Sequence, residues 1–74
     1  MINIQDIIIF MKDGWVAMDE NGSWCWYVDK PIRDELLLQW LPEGDCIYEE
    51  LDGVFDIAPA DDWKKSLIQV KGVK

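Results

Sequence analysis

Histidine is absent from this sequence, which removes the side chain that most often performs general acid–base catalysis near neutral pH. A cysteine nucleophile would have no histidine base, and no serine lies in a nucleophile-elbow motif. No glycine-rich phosphate-binding loop is present either. Adjacent acids such as Glu49 and Glu50 would point to opposite faces of a strand, so they would not share a catalytic site. The sequence therefore predicts a protein that is not an enzyme and uses no cofactor.

Cysteine is scarce, since Cys25 and Cys46 are the only two. Two cysteines far apart in the sequence, with no histidine, cannot complete a zinc site, so no metal is expected. No leader-like segment opens the sequence, and the apolar run at residues 7–11 is too short to span a bilayer. We therefore expect a cytoplasmic protein with no membrane partner and with two reduced, packed, unreactive thiols.

Positive charge is missing from the middle of the chain. Residues 34–63 hold ten acidic residues and no lysine or arginine, and the whole chain has a formal net charge of −8. Such a field repels nucleic acid and anionic membranes, so a partner bound through charge would present a basic surface. The candidate partner-binding acids are Glu43, Asp45, Glu49, Glu50, Asp52 and Asp56. Alternatively, the acidity only keeps an aromatic-rich protein in solution.

Apolar side chains, by contrast, are abundant. Half of the 74 residues are hydrophobic and five are tryptophan, and a buried aromatic side chain removes about 150–250 Å² from water. A chain of this length is expected to form one domain, residues 1–74, with a dense core. Core positions are expected for Trp24, Trp26 and Trp40. Trp15 and Tyr27 share a predicted strand face with polar residues, so they are further candidates for partner binding.

The clearest predicted element is a β-hairpin over residues 15–28. A three-residue loop at residues 20–22, with Gly22 in the left-handed region, gives one wholly apolar face. That face consists of Val16, Met18, Trp24, Trp26 and Val28. A two-residue loop at Asn21 and Gly22 would mix apolar and polar residues on each face, so the three-residue loop is favoured.

The remaining elements complete an α+β fold. We expect a short N-terminal helix that Asn3 caps and that ends at a left-handed Gly14. A second hairpin is expected to join residues 36–41 to residues 45–51 through the turn at residues 42–44, and a fifth strand to follow at residues 54–58. Asp61 is expected to cap a helical turn, and residues 67–70 fit either helix or strand. The predicted fold is a small antiparallel β-meander of four to five strands with a short N-terminal helix and a C-terminal helical turn.

A longer pattern runs through most of the chain. It consists of WVAMDENGSWCWYVDKP at residues 15–31, then Trp40, then DDWKKSL at residues 61–67. This pattern resembles that of small uncharacterised proteins of bacteriophages and prophages, which share WVAxDxxG, an aromatic strand, KP, a later Trp and a closing DWKxSL. The resemblance implies a viral accessory role in a bacterial host cell, without an assigned activity or catalytic residues.

Together these features predict a small non-enzymatic binding protein of phage type. It would act on a host protein in the bacterial cytoplasm, for host takeover or for inhibition of an antiviral defence. One alternative is a structural or assembly accessory that self-associates, and another is an acidic nucleic-acid mimic that blocks a nucleic-acid-binding protein. The expected partner is a protein, direct nucleic-acid binding is not expected, and the chain itself is expected to be a monomer or homodimer.

Overall fold

The computed structural model describes residues 1–53 and 55–71. Helix α1 spans Ile4–Ile7 and a 3₁₀ helix follows at Ile8–Phe10, and a second 3₁₀ helix spans Trp63–Lys65. The strands are β1 Gly14–Met18, β2 Trp24–Tyr27, β3 Ile32–Asp34, β4 Gln39–Leu41, β5 Tyr48–Glu50 and β6 Ile68–Val70. They form a four-stranded sheet in the order β5-β2-β1-β6 and a two-stranded β3–β4 sheet, both antiparallel. The predicted α+β class, the short N-terminal helix and the C-terminal helical turn are confirmed.

The β1–β2 hairpin has the predicted register. Met18 pairs with Trp24, and the backbone N–H of Asp19 donates to the carbonyl of Ser23 at 2.9 Å, which leaves residues 20–22 as the loop. Gly22 has φ +92°, in the region that side chains disfavour. The three-residue loop is therefore confirmed, and the two-residue alternative is wrong.

Both faces of this hairpin carry buried side chains, because separate segments cover part of each face. On the face that carries Trp24, the indole N–H donates to the carbonyl of Ala58 at 3.2 Å. On the opposite face, the Tyr27 hydroxyl donates to the carbonyl of Trp40 at 3.4 Å. The Trp40 indole N–H in turn donates to the carbonyl of Trp63 at 3.1 Å. The core thus lies on both sides of β1 and β2, with β4 on the Tyr27 side.

The predicted meander is wrong after the first hairpin. β4 pairs with β3 in the register Ile32↔Leu41, and β5 pairs with β2 in the register Trp26↔Glu49, so residues 36–41 and 45–51 do not pair with each other. A turn does form at residues 42–44, where Gly44 has φ +60°, but it carries the chain from one sheet to the other. Turn chemistry sets the local bend, whereas the choice of partner strand depends on burial across the whole fold.

The predicted fifth strand is also corrected. Within residues 55–58, Ile57 makes an isolated parallel bridge with Ile2, and Val54 lies outside the described residues. Residues 68–70, which fitted either helix or strand, are β6 and pair with β1. The helical turn is capped by Asp62, whose carboxylate accepts the N–H of Lys64 at 3.0 Å, and not by Asp61.

At the N-terminal side, Asn3 caps α1 as predicted, because its side-chain oxygen accepts the N–H of Gln5 at 2.9 Å. Gly14 does not end this helical segment, which already ends at Met11 in an extended conformation. Gly14 instead opens β1, where a Cβ atom would lie 2.5 Å from the carbonyl oxygen of Tyr27. The glycine is required by this close approach of the chain and not by a helix terminus.

Ser66 extends the β1–β6 ladder with its side chain. The ladder includes the pair Val16↔Ile68, and Ser66 lies two residues before Ile68, in the register position opposite Met18. Its buried hydroxyl accepts the Met18 N–H at 2.8 Å and donates to the carbonyl of Trp63 at 2.7 Å. A side chain thereby satisfies a buried strand donor that would otherwise be costly to leave unpaired.

Candidate binding surface

Three consecutive leucines form the turn between β3 and β4. Leu36, Leu37 and Leu38 are 95%, 61% and 46% exposed, and we call them the leucine loop. The carboxylate of Asp34 accepts the N–H groups of Leu36 at 2.9 Å and of Leu37 at 3.0 Å. Leu38 has φ +56°, a left-handed conformation that is uncommon for a bulky residue. The backbone thus holds three large apolar side chains in a tight turn at the surface.

The leucine loop is fixed to the β1–β2 hairpin at two points. The N–H of Glu20 donates to the carbonyl of Leu38 at 3.1 Å, and the carboxylate of Asp19 accepts the N–H of Trp40 at 2.8 Å. Burial raises the pKa of Asp19, the hydrogen bond from Trp40 opposes that rise, and the negative charge of Asp52 adds to it. The partly buried carboxylate of Asp19 therefore has a structural role, because it helps to hold the leucine loop in place.

A second apolar surface lies on the other side of the four-stranded sheet. It is a groove of about 570 Å³ lined by Met11, Trp26, Val28, Ile47, Leu51 and Phe55, and we call it the apolar groove. Lys12 and Glu49 also line it. The indole N–H of Trp26 donates to the carbonyl of Lys12 at 3.2 Å, which holds the chain after the first 3₁₀ helix against the sheet. Its volume falls within the range of about 300–1,000 Å³ typical of ligand pockets.

The leucine loop and the apolar groove face away from each other. Trp26 of the groove and Tyr27 are neighbours on β2 and point to opposite faces, and Tyr27 contacts β4, which bears the loop. The groove follows the paired strands β2 and β5, from the hydrogen bond of the Leu51 N–H to the Trp24 carbonyl at 2.9 Å to that of the Val28 N–H to the Ile47 carbonyl at 3.0 Å. The loop lies near the start of β2, next to Glu20.

The six candidate acids are all exposed but divide among several environments. Glu49 and Glu50 point to opposite faces of β5, since Glu49 pairs with Trp26 and Glu50 with Cys25. The carboxylate of Asp52 accepts the N–H of Trp24 at 3.2 Å, so it contributes to the fold.

The other three candidate acids lie in connecting segments. Glu43 and Asp45 belong to the turn between β4 and β5, where the Glu43 carbonyl accepts the Cys46 N–H at 3.2 Å. The backbone carbonyl of Asp56 accepts the N–H of Ile2 at 2.7 Å, and its side chain is exposed.

The two aromatic candidates differ in exposure. Tyr27 is 2% exposed, stacks on Tyr48 at a ring distance of 6.1 Å and has a strongly raised pKa because it is buried. Its side chain is covered by β4 and presents almost no surface, although partner binding was predicted for it. Trp15 is half-buried, and the ammonium of Lys30 lies 5.6 Å from the centre of its ring. Trp15 thus retains an accessible edge beside a cation.

The thiols offer little chemistry. Cys25 is buried, and burial raises its pKa to about 11, so the thiol stays protonated at neutral pH. Cys46 is half-buried and unoxidised, and its Sγ lies 3.3 Å from the carbonyl of Ile47. In residues 1–53 and 55–71, no group of three or more acidic or cysteine side chains is arranged to hold a metal ion. In the same residues, no helix has the length and apolar character that a membrane crossing requires.

No relative was found. Comparisons of the chain with protein-family models, with curated protein sequences and with solved structures gave no match.

The sequence does not predict the leucine loop as an exposed turn. The alternation of Leu36, Leu38 and Trp40 indicates a strand face, and only Trp40 is buried. The available signal was Asp34, because an aspartate before a turn accepts the N–H groups that follow it. An aspartate at that position indicates a turn at residues 35–38 in place of a continuous strand.

Proposed function

We propose that this chain is a small non-enzymatic binding protein of phage type that acts on a host protein in the bacterial cytoplasm. The observation that carries the proposal is the leucine loop, three exposed leucines held in a hydrogen-bonded turn. The action on the host would be takeover of a host process or inhibition of an antiviral defence. Its partner would be a protein and not a nucleic acid or a membrane.

The leucine loop supports binding because its side chains gain free energy when a partner covers them. Full burial of one leucine side chain contributes about 1.5–3 kcal/mol. A surface turn is usually built from glycine, proline, asparagine, aspartate or serine, so three leucines there are an exception. Contiguous exposed apolar side chains mark interaction sites in folded proteins.

The loop also loses little conformational freedom on binding. Asp34 holds the N–H groups of Leu36 and Leu37, and Glu20 holds the carbonyl of Leu38. A pre-organised loop avoids much of the ordering cost that reduces the affinity of flexible segments. The left-handed Leu38 is consistent with strain kept for function, since such backbone conformations cluster at binding sites.

The charge around the loop indicates the chemistry of the partner. Asp34 and Glu35 directly precede the leucines, and the backbone of Glu20 contacts Leu38. Among the described residues, Arg33 pairs with one of these acids, at 4.0 Å from Glu35. A host protein with an apolar pocket bordered by basic side chains would complement this surface. An anionic membrane would be repelled by the same acids.

The acidic-mimic alternative has less support. A nucleic-acid mimic needs carboxylates in a row on one face, spaced like phosphates. The alternation of Glu49 and Glu50 across β5 and the bond from Trp24 to Asp52 do not supply such a row.

The test is affinity capture from host lysate followed by a quantitative binding assay on the captured protein. The double variant Leu36→Ser, Leu37→Ser should reduce affinity by about tenfold or more, because two exposed apolar side chains are lost. Phe10→Ser is the matched control, since Phe10 is 84% exposed but lies in the first 3₁₀ helix. It should leave affinity unchanged.

Salt dependence separates this proposal from binding through the acidic residues. Apolar docking predicts a modest change in affinity between about 0.05 and 0.5 M salt, whereas exposed charges are screened strongly over that range. Unchanged binding by the leucine variant, together with a steep salt response, would refute docking through the leucine loop.

A further inference from the structure

We propose that the outer edge of β5 binds an extended, basic segment of another protein, which adds a fifth strand to the four-stranded sheet. The inference goes beyond the proposed function, because it concerns a different surface and does not depend on the leucine loop. Its basis is a row of backbone groups that the fold leaves unpaired on β5, together with the two acids of that strand, Glu49 and Glu50.

The register of β5 against β2 shows which backbone groups of this edge strand are paired. At one end the N–H of Val28 donates to the carbonyl of Ile47 at 3.0 Å, and at the other the N–H of Leu51 donates to the carbonyl of Trp24 at 2.9 Å. In an antiparallel pair, successive residues alternately direct their N–H and carbonyl groups toward the partner strand and away from it. Positions 47, 49 and 51 therefore direct their backbone groups toward β2.

Tyr48 and Glu50 occupy the positions between them, so their N–H and carbonyl groups point to the open side of the sheet. Among the described residues, none forms a hydrogen bond with these four groups. The strand is also accessible, since Ile47 is 66% exposed, Tyr48 is 52% exposed and both glutamates are exposed. An exposed edge strand is a template for pairing with another chain, and strand addition is a recurring mode of peptide recognition.

The side chains of β5 determine the chemistry of the added strand. Glu49 projects to the side of the apolar groove, and Glu50 projects to the opposite face together with Tyr48, which stacks on Tyr27. Lys12 also lines the groove, but within the described residues it forms no ion pair with Glu49. Oppositely charged side chains directly across two strands stabilise their pairing. The added strand should therefore place basic residues opposite the two glutamates and an apolar residue opposite Tyr48.

The same acids disfavour a second copy of this chain as the added strand. If Tyr48 of each copy paired with Glu50 of the other, all of the outward backbone groups would be bonded. In that register, however, Glu49 would lie directly opposite the same residue of the other copy, and like charges directly opposite each other are destabilising. A basic segment replaces this repulsion with attraction, so charge selects a partner of opposite sign.

The experiment uses a short synthetic peptide, TKRIVT, with both ends blocked. In an antiparallel register its lysine lies opposite Glu50, its arginine opposite Glu49 and its isoleucine opposite Tyr48. Titration of the isotope-labelled chain with peptide up to about 1 mM, a range that covers weak binding, should shift the amide resonances of Tyr48 and Glu50 most, because their N–H groups gain acceptors. The variant Leu36→Ser, Leu37→Ser should bind the peptide like the parent chain, so this proposal and the proposed function can fail separately.

Methylation of the peptide backbone separates strand addition from simple charge attraction. Methyl groups on the lysine and isoleucine nitrogens remove the two N–H groups that donate to the carbonyls of Glu50 and Tyr48, and affinity should fall about tenfold or more. Methyl groups on the arginine and valine nitrogens, which point away from β5, should change affinity by less than about threefold. The two methylated peptides carry the same charge, so equal affinities would overturn the proposal.

A charge exchange tests the register. Glu50→Lys should weaken binding of TKRIVT about threefold to tenfold, and the peptide TERIVT, in which glutamate replaces the lysine, should bind this variant better than TKRIVT does. Asp61→Lys is the matched control, since Asp61 is an exposed acid outside the sheets, and it should leave affinity for TKRIVT nearly unchanged. Circular dichroism should show that both variants remain folded, because both positions are exposed.

Four results would overturn the proposal. They are absence of binding up to about 1 mM peptide, resonance shifts centred on another surface, no preference of the Glu50→Lys variant for TERIVT, and dimerisation of the chain alone that this variant abolishes. The last result, measured by sedimentation velocity, would assign the edge of β5 to a second copy of the chain.

Discussion

The carboxylate of Asp19 accepts the backbone N–H of Trp40 at 2.8 Å, and this bond is one of those that join the β1–β2 hairpin to the second sheet. Asp19 is thus an ionisable group used as a hydrogen-bond acceptor in a half-buried position. Asp19→Asn keeps an acceptor oxygen and removes the charge, so stability at pH 7 should be unchanged or higher. Asp19→Ala leaves the Trp40 N–H without this acceptor and should cost about 1–3 kcal/mol in urea unfolding.

The same residue predicts a pH dependence of stability. Burial raises the pKa of Asp19 above its usual value of 3.8, so the folded state binds a proton more readily than the unfolded state does. The contribution of Asp19 to stability should therefore increase as the pH falls from neutral through the raised pKa, and level off below about 3.8. The difference between the parent and Asp19→Asn, followed by urea unfolding from pH 7 to pH 3, measures that contribution. A difference that does not change with pH would contradict the raised pKa.

Gly14→Ala should be among the most destabilising small substitutions. The added Cβ would lie 2.5 Å from the Tyr27 carbonyl oxygen and 2.8 Å from two atoms of the Trp26 indole. Forcing atoms into such a packed position costs about 1–3 kcal/mol. Gly53→Ala is the control, because nothing lies within 4 Å of its Cβ position, and thermal unfolding should change little. Equal effects of the two substitutions would refute the close approach at Gly14.

Leu38→Asn should separate stability from binding. Leu38 has φ +56°, and a left-handed conformation costs about 1–2 kcal/mol for most side chains but is tolerated by asparagine. The variant should therefore be at least as stable as the parent in urea, while its affinity for the captured host protein falls. Reduced stability would show that Leu38 contributes more to packing than its backbone conformation costs.

Cys25 should react with a thiol reagent only after unfolding. Its side chain is buried and its pKa is raised to about 11, so very little thiolate is present at pH 8. In a Cys46→Ser variant, which leaves Cys25 as the one thiol, native labelling at pH 8 should be slow and labelling in urea fast. Rapid native labelling would show that Cys25 is accessible.

The sequence predicted best those structural features that depend on residues close together in the chain. The register of the first hairpin follows from Gly22 and from the segregation of apolar residues on either side of it. The helix cap at Asn3 likewise involves only residues 3–5, since its side chain accepts the N–H of Gln5. The pairing partner of β5 is not determined by residues near β5 in the chain. It is determined by β2, which is apolar on both faces and pairs along both of its edges. The position of Gly14 against Tyr27 likewise depends on residues far away in the chain.

The candidate site was predicted less well for the same reason. Acidic residues are visible in the sequence, but the face each one occupies depends on pairing, as the opposite orientations of Glu49 and Glu50 show. Burial of Tyr27 depends on the hairpin that covers it, and exposure of the leucine loop depends on where that hairpin ends. Composition indicates that a surface exists, whereas strand pairing decides which residues form it.

The order β5-β2-β1-β6 also affects how the chain folds during its synthesis. Val16 on the central strand β1 pairs with Ile68, so one edge of β1 stays open until about 50 further residues are made. At a synthesis rate of about 5–20 residues per second, this interval lasts about 3–10 s. During that time the first hairpin exposes Trp24 and Met18, whose cover comes from later residues such as Ala58 and Ser66. The newly made chain is therefore most exposed to chaperones and to aggregation just before β6 leaves the ribosome.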